Sequence, residues 1–285
     1  MEEGCGYFER QLPKKDEGFA DPVSISEILK LPLSKMALLF DFNGVFTDDE
    51  KEQANAWVAA VKKRFGRRLP ADMLRRVEAH IRVCFDRGQF HDFRPKLWEF
   101  LGEFCSPEVT NPVQLDDYLS VARDEYIMIR VKKRKIVACS GIDKILEDLK
   151  DFGVPVGLNT ANGEHLVTEM LAEFFGKGVA ESLVPSGHRV YGKRLPPEVR
   201  GKPFSDSYRY LASRMGVPFD VCVIVEDRMP VIEQCLIDGA AGAVWIAGSQ
   251  WMEKPGQLWA DQVHGRLGEL SRKVILVQWP DQLRI

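Results

Sequence analysis

The sequence predicts an α/β protein whose parallel sheet is interrupted, early in the chain, by a long helical insertion. Three observations carry that expectation. Short apolar runs rich in Val, Ile and Leu recur along the chain, helix-patterned segments lie between most of them, and residues 49–137 hold helical patterns with no convincing strand. Continuous apolar runs, unlike alternating ones, suit parallel strands covered on both faces. Strands alternating with helices predict an open sheet with right-handed crossovers.

The elements follow in order. Residues 1–34 read as an N-terminal arm with one short helix, because Ser24 and Glu27 form a capping-box pattern ahead of Ile28 and Leu29. The first strand is MALLFDF (36–42). After it, Ala54, Trp57, Val58, Val61 and Phe65 repeat at helical spacing, and Leu74, Val77, Ile81 and Cys84 do the same behind Pro70, a good first-turn residue. PKLWEFLGEF and QLDDYLSVARDEYIMI continue the helical pattern. A separate helical cap over 49–137 is the economical reading, which leaves 35–48 and 138–285 as the α/β core. In that core IDKILEDLKDFG carries one apolar stripe of Ile142, Ile145, Leu146 and Leu149. The strand VPVGLNT (154–160) follows, then the helix DSYRYLASRMG, closed by Gly216. VCVIVED (221–227), GAVWIAG (242–248) and KVILVQW (273–279) complete the strands. Over 182–201, SLVPSGHRVYGKRLPPEVRG reads as a hairpin with Gly187 near its first turn, at the rim of a site or in an oligomer interface.

Composition narrows the function. A net charge of −3 and short basic clusters (Lys62 to Arg64, Arg67-Arg68, Lys132 to Lys135) argue for solvated faces rather than a nucleic-acid or anionic-membrane partner. No apolar run approaches the ~20 residues that span a bilayer, and MEEGCGYFERQLPKKDEG lacks the apolar segment of a signal peptide. The six cysteines include no C-x-x-C pair, so free thiols in a reducing, cytoplasmic setting are expected. The five histidines show no zinc spacing. The oligomeric state is not written in these features.

Polar residues sit at the strand ends, where open α/β sheets place their sites. Asp41 and Asn43 follow LLF, Thr160 and Asn162 follow VGLN, Glu226 and Asp227 follow VIV, and Lys202 precedes a helix. Carboxylates from separate strands can hold one hard cation, and a lysine with a hydroxyl can hold phosphate oxygens.

These residues resemble a family. LLFDFNGVFTDDE looks like the first motif of haloacid dehalogenase superfamily hydrolases, VPVGLNT the second, GKPFSDSYRYLASRMGV the third and VIVEDRMPVIEQCLIDGA the fourth. All stand in the family's order, and the helical insertion is similar to the C1 cap of the β-phosphoglucomutase-like, phosphatase branch. The resemblance implies a Rossmann-like core and a small phosphorylated substrate. It makes Asp41 the nucleophile and has Thr160, Ala161, Asn162 and Lys202 hold the phosphoryl group. Mg²⁺ would lie on Asp41, Asp227 and the backbone carbonyl of Asn43, with Glu226 a supporting acid.

Residue 43 departs from that pattern, since such phosphatases carry a general-acid Asp there. Asn43 can hydrogen-bond but cannot exchange a proton at neutral pH. Three accounts stay open, besides an engineered substitution. The leaving group needs no protonation; the cap supplies an acid (Asp49, Glu50, His91 or Asp92); or the chain is a weakened homologue that binds a phosphorylated ligand or a protein partner. The Glu226-Asp227 pair argues against dehalogenation, and mutase activity relies on the missing acid. Phosphonate cleavage would need a cap lysine, for which Lys51, Lys62 and Lys63 are merely nearby. Arg228 and Val231 replace the small residues usual in the fourth motif.

Overall fold

The computed structural model describes residues 23–86, 93–247, 265–277 and 280–284. Most of the expected arm lies outside them, but its helix forms. Ile25–Leu29 is helical, and Ser24 Oγ caps it by accepting from the Glu27 amide at 3.4 Å. The chain divides into two compact units, 1–48 with 138–285, and 49–137.

The first unit is built on six parallel strands: β1 Ala37–Phe40, β2 Val156–Thr160, β3 Arg189–Tyr191, β4 Cys222–Glu226, β5 Gly242–Ile246 and β6 Val274–Val277. Their order is β3-β2-β1-β4-β5-β6, with every pairing parallel. This is the Rossmann-like sheet the apolar runs predict, and every residue of the six strands is buried. A two-residue parallel pair, Val23–Ser24 with Leu283–Arg284, stands apart from it.

One expectation is corrected. The 182–201 segment is not a hairpin, because its strand β3 pairs parallel to β2 and forms the sheet's edge. The turn at Ser186–His188 only delivers the chain to that edge. Arg189 disguises this strand in the sequence. Its guanidinium is buried yet satisfied, donating to the Val184 carbonyl from Nε at 2.8 Å and to Glu181 from Nη2 at 2.9 Å.

The described residues of the second unit form the α-helices α1 Glu50–Phe65, α2 Ala71–Asp86, α3 Phe93–Leu101 and α4 Pro112–Lys132. Asn111 caps α4, its Oδ1 accepting from the amides of Val113 and Gln114 at 3.1 Å each. Trp57, Val61, Phe65, Val77, Ile81, Leu97, Leu115 and Leu119 share one apolar core, so the helical periodicities mark real buried faces. Helices α5 Ile142–Asp151, α6 Glu164–Phe175, α7 Lys177–Leu183, α8 Asp206–Met215 and α9 Met229–Ile237 belong to the first unit. Gly216 ends α8 with φ +69°, as its place in the sequence predicts.

Candidate active site

The sheet order reverses between β1 and β4, and at such a point the loops at the strands' C-terminal ends open a crevice. Asp41 leaves β1 there while its amide still donates to the Val225 carbonyl of β4 at 2.8 Å. Glu226 is the last residue of β4, and Asp227 follows it. One ligand oxygen from each of Asp41, Glu226 and Asp227 lies within 4.8 Å of the others.

Lys202, ahead of α8, enters this acidic group from the side. Its Nζ donates to Asp41 Oδ1 and, at 2.7 Å, to Glu226 Oε2. Tyr208 of α8 donates its hydroxyl to the same Glu226 oxygen at 2.8 Å, and the Asp227 amide donates to Glu226 Oε1 at 3.2 Å. Glu226 is thus wholly buried with both oxygens satisfied. Asp227 differs, because its buried Oδ1 accepts no hydrogen bond and only faces Arg228 Nε at 3.9 Å.

The electrostatics follow from three acids around one lysine. Burial raises Asp41 to about 7, the Glu226 charge adding to it and Lys202 opposing it. Burial also lifts Asp227 well above the usual carboxylate range, reinforced by Glu226 and Asp41. Burial works the same way on Glu226, but there Lys202 and hydrogen bonding with Asp227 win and hold it down at about 2. Lys202 is raised, since Asp41 and Glu226 outweigh the burial that would lower it. With all three acids ionised the cluster would carry more negative charge than Lys202 balances.

Gly44 explains how the chain passes so close. Its φ is +75°, and a Cβ there would stand 2.9 Å from the Asp227 carboxyl carbon, so only glycine lets the loop turn against the carboxylate. Beside it, Asn162 Nδ2 donates to Asn43 Oδ1 at 2.6 Å, and the Asn162 amide donates to Thr160 Oγ1 at 3.1 Å. Thr160 ends β2, and Ala161 and Asn162 follow it. Two groupings therefore emerge at the sheet's end: Asp41, Lys202, Glu226 and Asp227 in one, Asn43, Thr160 and Asn162 in the other. Asp49, one of the cap acids considered, is buried and accepts from Gln53 Nε2 at 2.6 Å. His91 and Asp92 lie outside the described residues.

Tyr208 and Trp245 are absent from the sequence-based site. Trp245 in β5 donates its indole N–H to the Asp227 carbonyl at 3.0 Å and fixes the backbone behind the acid. Their signal was weak, because each sits inside an apolar pattern that its bulk alone accounts for.

An open parallel sheet thus carries an acid cluster and a largely buried lysine at its switch point. A family profile described as haloacid dehalogenase-like hydrolase matches residues 35–233, and the chain belongs to that family. It is a hydrolase of that family with a helical unit inserted after the first strand. Among solved structures it is similar to a family IA, variant 3 hydrolase of this family from Entamoeba histolytica, with TM-score 0.61 and 20% identity over 88% of this chain and 96% of that one. It is also similar to a candidate β-phosphoglucomutase from Thermotoga maritima, with TM-score 0.54 and 18% identity over 87% and 95%. A phosphonoacetaldehyde hydrolase like protein from Oleispira antarctica gives TM-score 0.54 and 18% identity over 94% and 92%. At these identities the likeness is one of fold. No curated protein matches the chain.

Proposed function

We propose that the chain is a Mg²⁺-dependent hydrolase that transfers the phosphoryl group of a small phosphorylated metabolite to Asp41 and then to water. The observation that carries this reading is the buried group of Asp41, Glu226 and Asp227 around Lys202. The residues fit a hard divalent cation. They offer carboxylate oxygens, one of them buried without a hydrogen-bond partner, and burial, with the neighbouring acids adding to it, raises Asp41 and Asp227, which a cation would relieve. Asp41, Asp227 and the backbone carbonyl of Asn43 would hold the ion. Glu226, with both oxygens already hydrogen-bonded, keeps Lys202 in place. When bound, Mg²⁺ supplies positive charge that lets an anionic nucleophile meet an anionic phosphate.

The protein's own groups do the rest. Lys202 orients the Asp41 carboxylate and shares its charge with incoming phosphoryl oxygens, while the Thr160 hydroxyl and the Ala161 amide would donate to the same oxygens and Asn162 holds Thr160. The test is phosphate release from a panel of phosphate esters and acyl phosphates with Mg²⁺. Wild type should turn over at least one class, and Asp41→Ala should fall to background. Equal turnover by Asp41→Ala and wild type would remove Asp41 as the nucleophile. Of the lysines considered for phosphonate cleavage, Lys62 and Lys63 are half exposed and paired with Glu78 and Glu125, unlike a desolvated Schiff-base lysine.

A further inference from the structure

The contact between Asn162 and Asn43 bears on which substrates the site can process, and the inference rests on the phosphoryl-transfer reading above. Residue 43 stands two positions beyond the proposed nucleophile, and its side chain is an amide that neither releases nor takes a proton near neutral pH. Its oxygen, the atom that could still draw a proton-bearing water into line, is turned instead to Asn162, whose Nδ2 donates to it at 2.6 Å. Asn162 is itself fixed, since it is buried and its amide is bonded to Thr160 Oγ1. The neighbouring acids have other tasks, Glu226 with Lys202 and Tyr208, Asp41 with Lys202, and Asp227 as a cation ligand in the reading above. On that reading the described residues of the core unit offer a nucleophile and a place for a phosphoryl group, and none of them is set to give a proton to the leaving oxygen or to take one from water.

We propose that the chain accepts phosphoryl groups from donors whose leaving group departs as a stable anion, acyl phosphates above all, and holds them as a long-lived aspartyl-phosphate on Asp41. In the first step an Asp41 oxygen bonds to phosphorus while the bond from phosphorus to the leaving oxygen breaks. The electron pair departs on a carboxylate or phenolate, and no proton is needed. In the second step water bonds to phosphorus, the bond to Asp41 breaks and the water's proton passes to solvent without a protein base. That step is slow. An alkyl phosphate, which would have to expel a strongly basic alkoxide, stalls at the first step. Asn162 is a positioning residue that keeps the Asn43 oxygen away from water.

The experiment mixes the full chain and Mg²⁺ with acetyl phosphate, p-nitrophenyl phosphate or propyl phosphate. It follows protein-bound phosphate by intact mass after rapid quenching, and free phosphate alongside. The first two donors should leave one phosphoryl group per chain, absent in Asp41→Ala, and propyl phosphate none. Asn43→Asp should shorten the lifetime of the phosphoenzyme by about 10²–10⁴-fold, the usual worth of general acid–base assistance, and should open turnover of propyl phosphate. Asn162→Ala, which removes the Asn162 donor from the Asn43 oxygen, should shorten it by less. An unchanged lifetime would remove Asn162 from the device. Turnover of propyl phosphate as fast as acetyl phosphate, without accumulated phosphoenzyme, overturns the inference and leaves the phosphatase reading standing. No mass gain and no phosphate release from any donor removes that reading itself.

Discussion

The two units handle buried charge in opposite ways. In the helical unit Glu52 of α1 is met by its own counter-charge, accepting from Arg130 Nη2 at 2.6 Å and Nε at 3.1 Å and from the Tyr126 hydroxyl at 3.1 Å. Partial burial would raise Glu52, but the bonds from Arg130 and Tyr126 prevail and hold it low. Arg123 is likewise paired with Asp124 and lies over the Trp57 ring at 5.2 Å. In the sheet unit Lys202 serves Asp41 and Glu226 while Asp227 stands beside them, and burial with the neighbouring acids pushes Asp41 and Asp227 upward in pKa. A charge neutralised where it stands serves the fold. A buried surplus of one sign costs stability, and that cost marks the place where a ligand of the other sign belongs.

The comparison can be broken most forcefully at Lys202. Lys202→Met leaves Asp41 and Glu226 facing each other without their cation, so unfolding in urea at pH 8 with a chelator should show a loss of about 3–5 kcal/mol. A loss below 1 kcal/mol would mean that water, not Lys202, already balances the pair. Next comes Gly44→Ala, which puts a Cβ against the Asp227 carboxylate at a left-handed φ. It should cost about 1–3 kcal/mol and weaken the rise in melting temperature that Mg²⁺ produces.

The pH dependence tests the surplus directly. Asp41 stands near 7 when folded and near 4 when unfolded. The folded chain therefore binds the extra proton between those values, and stability in chelator should fall as pH rises from about 4 through 7. Glu226 runs the other way. Held near 2, its contribution is present above its unfolded value and is lost as pH falls toward 2. Stabilisation by Mg²⁺ should grow across the same interval in which Asp41 ionises, and a flat response between pH 5 and 8 would remove the acid cluster as the site of binding. The smallest effect belongs to the balanced unit. Glu52→Gln should lower the melting temperature by a few degrees at most, as a single partly exposed pair does, and leave the Mg²⁺ response as in wild type.

Much of this was legible in the chain. Five of the six strands are continuous apolar runs, and burial on both faces of a parallel sheet requires that composition, so β1, β2, β4, β5 and β6 could be read directly. The cap helices were readable for the matching reason, a one-sided packing face repeating every turn. Asp41, Asn43, Thr160, Glu226 and Asp227 stood out because they follow successive apolar strands, and Lys202 because it precedes a helix in a Lys-Pro setting, all of them in motifs that stand in one family's order.

Strand β3 was hidden because Arg189 looks like a surface residue until the carbonyls and the glutamate that neutralise it are in place. Tyr208 and Trp245 were hidden because an aromatic side chain in an apolar pattern shows its bulk and not where its polar atom reaches. The sequence alone determined the elements and the kinds of group at the strand ends, since both depend on local pattern. Only the tertiary structure decided that Asn162 meets Asn43, 119 residues away, and that one lysine serves two acids. Hydrogen bonds and charge balance depend on distances across the fold, which no local pattern records.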